Sequence, residues 1–255
     1  GLLFALLIQQ EVIITKDIVR ESSTYWRNFM LTFFMIIAIV VCIYVGFVWQ
    51  QRLFASIQVQ KTTDILVQNP RDIRGAQSTI LKALNSYFNP ADLRYASEMS
   101  LIRPMELINK SQGVVSPQNI TQDVLSDITF AIDSARRASI DRGISKDYKD
   151  WIQLGKVYEA ATFLGATSTA TLAVEAYAEA ERLNPTSPVP PYLIGRMYTL
   201  ARVYQVAEEK LKKSLELKPD YTEALNLLNS VSQGERNVSQ LVTPPQNSTS
   251  TTPKK

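Results

Sequence analysis

Histidine is absent from this chain, and cysteine occurs once, at Cys42. Those two shortages exclude Cys/His metal sites, a histidine-activated nucleophile and any intrachain disulfide. An excess of one charge is lacking too, since 27 Lys and Arg stand against 24 Asp and Glu, for a net charge of +3. The basic residues are interleaved with acidic ones, form no stripe and accompany no aromatic stacking module, so nucleic acid is not an expected partner. No stretch sustains an apolar and polar alternation, and no sheet is expected. No spacing of carboxylates or lysines points to a reaction. We therefore assign no catalytic residue, no cofactor and no metal, and do not read the chain as given as an enzyme.

What is present is a repeat. Ala173, Tyr177, Ala180 and Pro185 recur as Ala207, Leu211, Ser214 and Pro219, each pair 34 residues apart. Two closely packed antiparallel helices need small residues where backbones approach, and Gly155, Gly195, Ala173, Ala207, Ala180 and Ser214 supply them. Trp151, Leu154, Tyr158, Tyr177, Ile194, Tyr198 and Leu211 fill the space beside them. Each unit closes at Asn184-Pro185 or Lys218-Pro219, because proline cannot continue a helix and biases its predecessor away from the α region.

At these residues the chain resembles the tetratricopeptide repeat (TPR), whose Trp-x2-Leu-Gly-x2-Tyr signature is met by Trp151, Leu154, Gly155 and Tyr158. A closing Pro185 would place the tryptophan at 157, so six residues are inserted, and Leu164 to Thr171 is expected to carry them as a longer loop. Weaker echoes at Ala76, Ile80 and Ala83, and at Ile128, Ile132 and Ala135, extend the scheme. The expected fold is all-α: an N-terminal transmembrane helix followed by a TPR-like α-solenoid of helical hairpins at 50–90, 91–143, 146–185 and 188–219, closed by Tyr221 to Ser232. Within it, 50–145 are degenerate hairpins, with Leu93 to Ile108 facing Thr121 to Asp141, and 146–233 are clear repeats with the closing helix.

The span is expected at 29–49, where 21 residues carry no charge and Tyr25, Trp26 and Trp49 stand at the ends. At 1.5 Å per residue this is about 31 Å of helix, which matches a bilayer core of about 30 Å. Residues 1–28 read as the end of a preceding span, Gly1 to Ile8, plus a charged loop, and the chain as the C-terminal part of a longer protein. Lys16, Arg20 and Arg27 precede the span while Arg52 and Lys61 follow it, which favours an extracytoplasmic repeat region. The Ser-, Thr- and Pro-rich residues 234–255 are expected to be a disordered polar tail. Asn119, Asn237 and Asn247 open glycosylation triplets that matter only in a glycosylating compartment.

In a TPR array the inner face is lined from the first helix of each hairpin. The resemblance places Ile152, Lys156, Tyr192, Arg196, Asn226 and Ser230 there, with Lys156 and Arg196 able to pair with a carboxylate or sugar phosphate. A protein, peptide or glycan is the expected groove partner, and the bilayer the partner of 29–49. The order of a span and then an array resembles the C-terminal part of bacterial O-antigen ligase-like membrane proteins with appended TPR repeats. That resemblance implies a bacterial inner-membrane interaction module whose chemistry lies elsewhere. A stand-alone anchored adaptor for assembly or secretion is the alternative.

Overall fold

A computed structural model of the chain describes residues 2–111, 115–140 and 146–242. Among these residues every regular element is helical: α1 Leu2–Gln68, α2 Ile73–Ser86, α3 Pro90–Ser100, α4 Ile102–Lys110, a 3-10 turn Pro117–Asn119, α5 Gln122–Ser139, α6 Tyr148–Phe163, α7 Thr169–Leu183, α8 Val189–Leu200, α9 Tyr204–Leu217 and α10 Thr222–Val242. The chain divides into two compact units at Ile57/Gln58.

In the first unit, residues Tyr25 to Gly46 are exposed along α1, and the segment from Tyr25 is long and apolar enough to cross a membrane. The expected charged loop, Gln9 to Asn28, is instead helical. No proline occurs before Pro70, so nothing in the backbone stops the helix there.

The second unit is the array. Four of its helices start at polar caps: the Asp72 side chain accepts from Gly75 N, Asn89 from Ala91 N, Thr121 from Val124 N and Asp147 from Lys149 N. Helix α3 packs on α5, α6 on α7, and α8 on α9, while α5 against α6 and α7 against α8 join successive hairpins. One core runs from Leu101 and Ile128 through Leu154, Val157 and Tyr177 to Ile194 and Met197. A smaller cluster of Ala207, Leu211, Ala224 and Val231 closes the end. The last turns of α1 join the array, with Thr62 fully buried and the Thr63 hydroxyl 3.1 Å from Tyr95 Oη.

Three segments differ from the sequence expectation. The stretch Leu93 to Ile108 is two helices, because Pro104 cannot hydrogen-bond to Ser100, where α3 ends, and sits in the first turn of α4. The six-residue insertion is mostly helix: α6 has 16 residues against 12 in α8, and its connection (164–168) is two residues longer than 201–203. In the register that pairs Trp151 with Pro191 and Ala173 with Ala207, three of the six extend the end of α6, two lengthen the connection and one opens α7. Last, α10 continues past Ser232 to Val242, before Thr243 and Pro244. The rest of the expected tail, 243–255, lies outside the described residues, as do Gly1, Gly113 and Gly143.

Candidate functional site

The array carries a cavity of about 650 Å³ walled by α4, α6 and α8. Leu101, Met105, Ile108 and Asn109 form the α4 side, with Glu98 of α3 at the edge. Helix α6 contributes Gln153, Lys156, Glu159, Ala160 and Phe163, and α8 contributes Leu193, Arg196 and Leu200. The lining follows helical geometry: 153, 156 and 160 on α6 correspond to 193, 196 and 200 on α8, each pair 40 apart. That offset is the 34-residue repeat plus the insertion. Phe163 stands on the added turn of α6, so the insertion deepens this surface.

Of the six residues expected to face inward, Lys156 and Arg196 line the cavity and four do not. Ile152 and Tyr192 precede the lining positions by one residue, about 100° around the helix, and pack against the core instead. The Tyr192 ring lies 5.1 Å from that of Tyr221. Asn226 and Ser230 are exposed on α10, one hairpin beyond the cavity wall.

Arg196 is also already engaged. Its Nη2 donates to Glu159 Oε2 at 2.5 Å, and Tyr177 Oη donates to the same oxygen at 2.8 Å. Burial and then the Glu159 carboxylate push the Tyr177 phenol well above its ordinary value, so it remains a neutral donor. Burial acts against the Arg196 charge, but Glu159 outweighs it and the guanidinium stays protonated. The expected two-cation anchor for an anion is thereby reduced to Lys156. Glu159 was not anticipated; its one signal is a lone acid within the run Val157 to Phe163. The α4 wall had none, since it comes from about 50 residues upstream.

Other carboxylates are tied between helices in the same manner. Arg103 of α4 donates to Asp127 and Asp123 of α5, both at 3.0 Å. Lys210 and Lys213 of α9 meet Glu181 of α7 at 3.2 and 2.6 Å. Among the described residues no group of histidine, cysteine and acidic side chains is placed to hold a metal.

Successive helical hairpins packed on one another, with no strand among the described residues, define the class: an all-α, TPR-like solenoid. No family model and no curated protein match the sequence. Among solved structures, the chain is similar to MamA, at 16% identity, covering 74% of this chain and 86% of MamA with a TM-score of 0.52. A second MamA structure aligns at 16% identity over 68% and 94%, with a TM-score of 0.42. The thermophilic TPR protein TTC0263 of Thermus thermophilus aligns at 16% identity over 76% and 93%, with a TM-score of 0.45. The first of these likenesses carries the fold, and the fold alone.

Proposed function

We propose that this chain is a membrane-anchored scaffold that holds a protein segment in the groove between α4, α6 and α8. The observation carrying it is the lining: apolar Leu101, Met105, Ile108, Phe163, Leu193 and Leu200 around a small number of polar groups. Such a surface suits amino-acid side chains better than the hydroxyl-covered face of a glycan. The anchor is 29–49, an uncharged and solvent-facing run that gains free energy only where water is replaced by lipid or protein.

In the larger reading the array is the extracytoplasmic interaction module of a bacterial inner-membrane glycan ligase of the O-antigen type. The basic residues before the span and the order of a span followed by an array support it. A cytoplasmic array would instead serve as an assembly or secretion adaptor. Topology separates the two. With Cys42→Ser as background, Ser230→Cys is expected to react with an impermeant thiol reagent in intact spheroplasts. Labelling only after the membrane is opened would move the array to the cytoplasm and remove the glycan-ligase reading.

A further inference from the structure

Resting on the groove reading above, the charges of the lining specify the partner further. Arg196 and Glu159 neutralise each other at 2.5 Å, and Glu159 is 6% exposed. Two charges on the lining have no ion-pair partner among the described residues: Lys156 on α6 and Glu98 on α3, opposite in sign and both exposed. The same lining carries exposed apolar side chains, with Met105 41% and Leu200 51% exposed. An acid-rich segment entering here would gain at Lys156 and be repelled at Glu98. A base-rich segment would meet the converse.

We propose that the partner is a protein segment with no net charge over its contact stretch. It places large apolar side chains on Met105, Phe163 and Leu200, one carboxylate against Lys156 and one basic side chain against Glu98. Such a segment buries apolar area while leaving neither open charge facing a like one. An anionic tail or a phosphate group is thereby excluded as the preferred occupant.

The test uses the full chain in phosphatidylethanolamine and phosphatidylglycerol nanodiscs. Random peptides of about twelve residues, long enough to cross a cavity of this size in extended form, are selected by phage display with empty nanodiscs as counter-selection. The best binder is labelled for fluorescence anisotropy. Enriched sequences are expected to combine apolar residues with one acid and one base. Lys156→Glu should weaken the best binder about tenfold, and replacing the peptide's acid by lysine should restore it. Glu98→Lys should behave reciprocally toward the peptide's base. Both variants alter exposed side chains, and unchanged helical circular dichroism verifies that each folds. A binder lost with Leu200→Asp but indifferent to Lys156→Glu and Glu98→Lys overturns this inference and leaves the groove reading standing. Enrichment of acid-rich peptides does the same. No binder at all, or one indifferent to Leu200→Asp as well, overturns both.

Discussion

Gly155 is the residue on which the packing of the first clear repeat turns. A Cβ at this position would fall on the ring of Tyr177, which is fully buried and held at its far end by Glu159. Gly195 is its counterpart in the next repeat, where a Cβ would stand 2.8 Å from Leu211 Cγ. Alanine gains about 1 kcal/mol over glycine in a helix, while overpacking a filled core costs about 1–3 kcal/mol. Because both ends of the tyrosine are fixed, the overpacking cost wins. With the two offset, we expect Gly155→Ala to lower stability by about 1 kcal/mol, or roughly 3 °C in melting temperature. A calorimetric scan with an unchanged or raised midpoint would refute this account of the notch.

At the scale of elements, α4 is a short helix tied to α5 by one arginine. Leu101, its cap residue, makes no side-chain capping bond, and Arg103 ties it to Asp123 and Asp127 of α5. Asp127 is 1% exposed and also accepts from Gln77 at 2.9 Å. Burial raises the Asp127 pKa above 3.8 despite the opposing pull of Arg103. An acid whose folded pKa is raised takes up its proton more readily in the native state. Its ionisation therefore costs stability above the folded pKa, and the cost disappears as pH falls below it. Arg103→Met leaves the buried carboxylate with Gln77 alone and should cost about 3 kcal/mol at neutral pH. The deficit should shrink as pH is lowered through the acidic range, because a protonated Asp127 no longer needs the cation. Urea titrations of both proteins across pH 4–7 check this, and a deficit that is constant or grows in acid would contradict it.

The same helix marks where local sequence pattern stops specifying structure. The repeats were legible because small and large residues recur at a fixed interval and prolines close each unit. Lys156 and Arg196, which the signature's register puts at equivalent positions, both stand on the cavity lining. Glu159 and the α4 wall were not legible, since pairing across helices leaves no local periodicity and Pro104 divides what reads as one helix. Ile152 and Tyr192 show the limit in the other direction, as one residue of register exchanges the groove for the core.

For the molecule as a whole, the array and the apolar helix are separate units. Helices of the array touch mainly their sequence neighbours, so its stability is a sum of hairpins and joints. We expect a fragment from Gln58 to Val242 to be soluble without detergent and to melt as a helical protein in a single transition, whereas the full chain requires detergent or lipid. Circular dichroism and size-exclusion chromatography decide it; aggregation of the fragment, or a broad loss of helix on heating, would count against an autonomous array.

The neutral pair at the floor of the groove also has a kinetic meaning. With Arg196 and Glu159 cancelling one another, and Lys156 opposed by Glu98, an approaching segment meets no field of one sign. Its encounters are not steered, so association proceeds at an ordinary rate of about 10⁵–10⁶ per molar per second and changes little with salt. Discrimination among segments then rests on how long each one stays.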